Sequence, residues 1–141
     1  MDFPGENFGV DMTIRPFQSS DYEDVSRWWL ARPPWQPLPQ DFLSPLGFVA
    51  ESGGIKLCAI WLWLTGTSFC VIDYLVSNPD APLRARYKGM GAVIDAAKAA
   101  AKRAGAKAAF ASLQNEGLER FFEKHGFEIT DRKMVNLLAR L

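Results

Sequence analysis

Arg86-Tyr87-Lys88-Gly89-Met90-Gly91 sets two cations and two glycines in six positions, a composition suited to holding a phosphate. An apolar run from Phe69 to Val76 precedes it and reads as a buried strand. The alanine-rich run from Ala92 to Lys102 follows it and reads as a helix. Glycine tolerates the backbone angles of a tight loop and lets an anion come close. The free N–H groups of the first helical turn would point at that anion with the helix dipole behind them. Arg86 and Lys88 add positive charge at the same mouth. Two other phosphate-binding patterns are excluded by spacing. A dinucleotide fingerprint needs a third glycine where Ile94 stands, and a P-loop needs Gly-Lys-Ser/Thr, which the chain lacks. Without a ligand, the same six residues also fit a tight strand-to-helix turn.

Asp73 is the candidate for acid–base work. It lies mid-strand in an otherwise apolar run, and burial would raise its pKa toward the range of a useful base. Paired with a cation, or bonded at a sheet edge, the same carboxylate would be structural. Glu51 is a second candidate. Strand alternation puts Tyr74 on the face opposite Asp73, as a core residue and a reserve acid. His125, the one histidine, sits in the last turn of a helix before Gly126, where it would cap carbonyls and complement the dipole. Asp21, Glu23 and Asp24 read as first-turn helix charges.

At 141 residues the chain has room for one domain with a real core. Its 16 basic and 16 acidic residues cancel, which argues against nucleic acid as a partner, since phosphate-backbone binding needs a basic surplus. The start of the chain lacks a charged-then-apolar signal pattern. The longest apolar run, Leu57 to Leu64, is far too short for a membrane span. Cys58 and Cys70 fall out of register across the expected hairpin, so they read as reduced thiols of a cytoplasmic protein. With a single histidine beside them, no metal site is expected.

Elements to position these residues follow from punctuation and period. Residues 1–11 have no period and read as a loose arm ahead of a single domain over 12–141. Met12 to Phe17 is a first strand. Ser20, as N-cap with Glu23 three residues on, starts a helix to about Ala31. Four prolines between Arg32 and Pro39 make a stiff extended segment, with a short helical turn at Gln40 to Leu43. Strands at Gly47–Glu51, Ile55–Leu64 and Ser68–Ser77 form a meander through turns at Ser52-Gly53-Gly54 and Thr65-Gly66-Thr67. A loop from Asn78 leads to the glycine segment, and its helix ends at Gly105. A strand at Ala106–Leu113, a helix at Asn115–His125, and strands at Phe127–Ile129 and Val135–Leu138 complete an α/β (α+β) fold. Its mixed, mostly antiparallel sheet has about seven strands, with helices on both faces.

That element order, with Arg86-x-x-Gly89-x-Gly91 between the meander and the long helix, resembles the GNAT superfamily of N-acetyltransferases. A second block supports the likeness: Asn115 at a helix start, Phe122 four residues before a glycine, then Gly126-Phe127. The resemblance spans about residues 12 to 138. It implies an acetyl-CoA or other acyl-CoA cofactor and transfer of its acyl group to an amine of a small molecule or protein. The pyrophosphate would sit on Arg86, Lys88, Gly89, Met90, Gly91 and Ala92. The pantetheine arm would lie beside Leu75, Val76 and Ser77, with a main-chain N–H near Val76 polarising the acyl oxygen. Asn115 would reach the arm from the other side. Asp73 would be the base. Phe122, also among the cofactor-binding positions, stands where many members carry the tyrosine that protonates the leaving thiolate. Arg84 is a spare cation in the loop before the glycine segment, read as solvated, with a contact to the cofactor's 3′-phosphate as the alternative. Trp29 and Trp35 flank the proline segment that borders the acceptor site in this family. The resemblance also allows a homodimer through the last two strands. The missing tyrosine leaves a second reading open, a GNAT-fold binding or structural module with weakened catalysis. The stretch from Tyr74 to Pro79 loosely resembles small phage-encoded proteins of this fold.

Overall fold

A computed structural model describes residues 11–113 and 115–141. The expected arm falls outside them except for Asp11. The elements are β1 (Thr13–Pro16), α1 (Tyr22–Leu30), β2 (Leu46–Ser52), β3 (Ile55–Leu64), β4 (Phe69–Ser77), α2 (Leu83–Arg103), β5 (Ala108–Phe110) and α3 (Glu116–Lys124). The five strands form one sheet in the order β1-β2-β3-β4-β5. Neighbours from β1 to β4 are antiparallel, and β5 runs parallel to β4. Gly53 and Gly54 turn β2 into β3 with φ of 57° and 78°, the left-handed pair that a tight hairpin requires.

Alternation along β3 feeds two cores. Ala59 and Trp61 face α1, where Val25, Trp28 and Trp29 are buried. Cys58, Ile60 and Leu62 face α2, where they meet Val93, Ile94, Ala97 and the α3 residue Phe122. Helices therefore cover both faces, as the sequence implies. Cys58 lies opposite Ser77 and Cys70 opposite Leu64, so the two buried thiols stay free. No helix among the described residues is long and apolar enough to cross a membrane.

Two departures from the sequence reading change the fold most. The sheet has five strands among the described residues, not about seven. Phe127–Ile129 and Val135–Leu138 are irregular. A strand needs an edge to pair with and a face to bury, and here Val135, Leu137 and Leu138 are 80% or more exposed. The second departure is the glycine segment, which is not a loop. Asn78 closes a short turn, its Oδ1 accepting from the Asp80 N–H at 2.9 Å. The helix α2 then begins at Leu83, directly after Pro82. Leu, Arg and Ala are strong helix formers, so the run after Pro82 propagates through Gly89 and Gly91 despite a cost of about 1 kcal/mol for each glycine.

Candidate functional site

β4 is paired on both sides only at its start. β5 matches it at Phe69, Cys70 and Val71 and then leaves, so Ile72 to Ser77 have no strand partner on that edge among the described residues. On the other side the register with β3 slips between Ala59 and Trp61. Two residues of β4, Tyr74 and Leu75, therefore stand against Ile60 alone, and Tyr74 takes φ of 62°. This is a β-bulge. A left-handed tyrosine costs about 1–2 kcal/mol, and such strain concentrates at functional sites. The bulge also inverts the strand's alternation. Cys70, Ile72 and Leu75 pack toward α2, whereas Val76 packs toward α1.

A cleft of about 550 Å³ opens where β4 and β5 part. Asp73, Tyr74, Leu75, Val76 and Ser77 line one wall, Ser112, Leu113, Asn115 and Leu118 the other. Trp29, Arg32 and Trp35 close one end, and Leu83, Arg86, Tyr87 and Met90 form the α2 side. Trp29 is held by stacking on Trp61, with ring centroids 5.6 Å apart. A second, more open pocket of about 310 Å³ lies between β1 and α2 at Ile14, Arg15 and Arg103. It contains none of the groups with acid–base or acyl-transfer potential.

Asp73 is half-buried at the cleft wall. Desolvation pushes its carboxyl up to about 6, although main-chain hydrogen bonds from Tyr74 and Ser112 pull it down. The Tyr74 N–H donates to Asp73 Oδ1 at 2.8 Å. The Tyr74 phenol shares the cleft, and desolvation together with the Asp73 charge raises its pKa. Its ring is fixed edge-on to Trp63 at 5.6 Å. A carboxyl with a raised pKa and a tyrosine that line one opening are groups that can do acid–base chemistry. The alternation rule put Tyr74 on the other face, and the bulge overturns that placement.

The other expected site residues divide. Leu75, Val76, Ser77, Arg86, Met90 and Asn115 line the cleft. Asn115 is the N-cap of α3, and its Oδ1 accepts from Gly117 and Leu118 N–H groups at 2.7 and 3.3 Å. Lys88, Gly89, Gly91 and Ala92 do not line it. Their N–H groups belong to the interior of α2 and are spent on the helix, so the glycines make no anion cradle. Instead, they permit close packing. A Cβ on Gly89 would sit 3.2 Å from Cys58 Sγ and Leu57 Cβ, and one on Gly91 would sit 2.9 Å from His125 Cε1. The first intrahelical bond of α2 runs from the Arg86 N–H to the Pro82 carbonyl, which moves the unspent first-turn donors to Leu83, Arg84 and Ala85.

Phe122 is 2% exposed, packed edge-on against Phe127 in the core. It is not a cofactor contact. Glu51 is tied to Arg15 at 3.2 Å on the far side of the sheet, which removes it as a base. The His125 ring bonds Asp95 on α2 at 3.1 Å rather than capping carbonyls. Arg84 is exposed and outside the cleft. Sequence reasoning missed Arg32 altogether. Its guanidinium donates to the carbonyls of Trp28 and Ser77 and to Ser77 Oγ, each at 2.9 Å. Only its place beside the two tryptophans could have signalled it.

No protein-family model and no curated protein sequence matches the chain. Solved structures do match it in fold. A GNAT-family acetyltransferase from Streptococcus pneumoniae superposes with a TM-score of 0.65 at 19% identity, covering 92% of this chain and 99% of that one. Ard1 from Thermoplasma volcanium gives 0.68 at 22% identity, covering 86% of each chain. The yncA protein from Salmonella typhimurium, solved with its cofactor acetyl-CoA, gives 0.65 at 18% identity over 86% of this chain and 82% of that one. The chain has the GNAT acetyltransferase fold. The likeness to phage-encoded proteins finds no support among these structures.

Proposed function

We propose that this chain is a GNAT acyltransferase that binds acyl-CoA in the β4–β5 cleft and passes the acyl group to an amine. The observation that carries this reading is the bulge at Tyr74 on the free edge of β4. It sets Asp73, the Tyr74 phenol and the unpaired backbone from Leu75 to Ser77 along one opening. The cleft residues fit the cofactor. A free strand edge suits the amides of a pantetheine arm, and Leu75, Leu83, Met90 and Leu118 suit its methylenes. Arg86 suits its diphosphate, since Arg86 Nε is buried without a partner among the described residues. When bound, acyl-CoA supplies an acyl group activated as a thioester.

Asp73 takes a proton from the acceptor's ammonium, freeing the nitrogen lone pair to attack the thioester carbonyl. A main-chain N–H near Val76 would stabilise the charge that builds on the acyl oxygen. As the carbon–sulfur bond breaks, the Tyr74 hydroxyl gives its proton to the departing sulfur. That assignment answers the apolar Phe122. The chain's phenol comes from the bulge, not from α3. Trp29 and Trp35 border the acceptor's end of the cleft.

The test is calorimetric titration of the protein with acetyl-CoA and with desulfo-CoA, followed by an acetyl-CoA-dependent screen of amines. Saturable binding of both ligands and amine-dependent thiol release are the expected results. Absence of binding at about millimolar ligand, a free energy near 4 kcal/mol, overturns the reading. Binding without turnover for any amine favours the second reading, a GNAT-fold binding module, which the apolar core position of Phe122 supports.

A further inference from the structure

Two arginines line the cleft, and neither is paired with a carboxylate among the described residues, Asp73 of the same cleft included. Arg15, Arg27 and Arg132 each sit on a carboxylate. Arg32, just past the end of α1, and Arg86, on α2, line the cleft and make no ion pair among the described residues. Arg86 makes no side-chain hydrogen bond there either, and its Nε is fully buried. Burial and the charge of Arg86 both lower the pKa of Arg32, so the two cations feel each other. Placing like charges in a shared, partly desolvated space is costly unless an anion joins them.

The Arg32 fork is also pre-set. Three acceptors, the carbonyls of Trp28 and Ser77 and the Ser77 hydroxyl, fix its plane at the end of β4. An arginine has five N–H donors, which leaves Nε–H and one Nη2–H for a ligand. A guanidinium held rigid by neutral acceptors, with donors to spare and no carboxylate, matches a planar or tetrahedral oxyanion.

We propose that Arg32 and Arg86 form a two-armed oxyanion clamp that ties α1 to α2 across the end of β4. This rests on the acyltransferase reading for its ligands, though not for its geometry. The oxyanion has two possible sources, the diphosphate of the cofactor or a carboxylate on the amine acceptor. The residue that decides between them is Arg32, which lies outside the glycine segment.

The experiment titrates the intact protein, Arg32→Met and Arg86→Met with acetyl-CoA, with S-acetyl-pantetheine, which lacks phosphates, and with inorganic pyrophosphate. Arg86→Met loses no internal hydrogen bond and guards against a folding defect in Arg32→Met. Arg32→Lys keeps the charge and removes the fork. Loss of one charge-assisted bond weakens binding by about tenfold or more. If the cofactor is the source, Arg32→Met weakens acetyl-CoA and pyrophosphate by that factor and leaves S-acetyl-pantetheine unchanged. If the acceptor is the source, cofactor binding holds, and KM rises for an amino acid but not for its methyl ester. Arg32→Lys falls between wild type and Met in either case. Unchanged binding and unchanged KM in a folded Arg32→Met overturn the clamp while leaving the acyltransferase reading intact. Arginine-dependent pyrophosphate binding by a wild-type protein that ignores S-acetyl-pantetheine does the reverse.

Discussion

Asp73 and Tyr74 are consecutive residues of β4, yet both side chains line the same cleft. A regular strand forbids this, because neighbours point to opposite faces. The bulge at Tyr74, with φ of 62°, adds a residue without a partner and turns the tyrosine back toward the carboxylate. The Tyr74 N–H then closes on Asp73 Oδ1 at 2.8 Å. One backbone irregularity thus brings a carboxyl and a tyrosine to one cleft.

The first prediction concerns pH. Asp73 acts as a base only when ionised, and its carboxyl is pushed up to about 6 by desolvation. Acyl transfer should therefore fall as pH drops through about 6, and Asp73→Asn should remove that limb along with most of the rate. Stability should move the other way. A carboxyl whose pKa is raised on folding binds its proton more tightly in the native state, so folding stability declines as pH rises from about 4 to about 6. Asp73→Asn should melt higher than wild type at pH 8, with the difference closing at pH 4. Thermal melts at both pH values check this, and a lower-melting Asn variant at pH 8 counts against a desolvated carboxylate.

Tyr74 can be tested in two parts. Tyr74→Phe keeps the ring on Trp63 and removes only the hydroxyl, so melting should hold while kcat falls by about a hundredfold or more, the scale of general acid catalysis. The backbone is tested by Tyr74→Gly against Tyr74→Ala. Both lose the ring, but only glycine adopts positive φ freely, so the glycine variant should be the more stable by about 1 kcal/mol. Denaturant midpoints compare the two directly, and equal stabilities would remove the bulge.

Much of this fold can be read from residue order. The strand Ile55–Leu64 falls where its apolar alternation puts it, and Gly53-Gly54 and Gly105 stop their elements where expected. The open edge of β4 came only through the family resemblance, which lays an extended arm beside Leu75 to Ser77; the element order alone does not require it. The start of α2 was not legible. Gly89 and Gly91 look like a loop from composition, but the helix formers after Pro82 carry the helix through them, and the close approach of Leu57, Cys58 and His125 leaves no room for a Cβ there. The bulge left only an oblique trace, a polar pair inside an apolar run. The tail misled because Val135, Leu137 and Leu138 have strand propensity with no edge to satisfy it.

Gly89 separates a packing role from a cradle. In an open helix, Gly→Ala gains about 1 kcal/mol. Here the new methyl would press on Cys58 and Leu57 at 3.2 Å, both fully buried, and overpacking of that kind costs about 1–3 kcal/mol. Gly89→Ala should melt lower than wild type while the folded protein binds acetyl-CoA with unchanged Kd. Lost binding with normal melting would restore the glycines to the anion site.

Asp21 anchors the scaffold that carries α1, and with it Arg32 and Trp29. The sequence reads it as a first-turn helix charge, and the structure buries it to 1% exposure. Arg15 grips both its oxygens at 2.8 Å, Lys56 reaches it at 2.7 Å, and the Gln18 N–H donates at 2.8 Å. Burial alone would raise its pKa, yet the Arg15 fork, Lys56 and Gln18 outweigh it and hold the carboxyl well below the usual range. Asp21→Ala leaves Arg15 and Lys56 without that partner, and breaking such a buried pair costs about 3 kcal/mol. Because the folded pKa is depressed, the stabilisation is complete above about pH 4 and is lost as pH falls further. The gap in melting temperature between wild type and Asp21→Asn should be widest near neutrality and narrow in acid. A gap that stays constant down to pH 2 would mean that Asp21 contributes shape rather than charge.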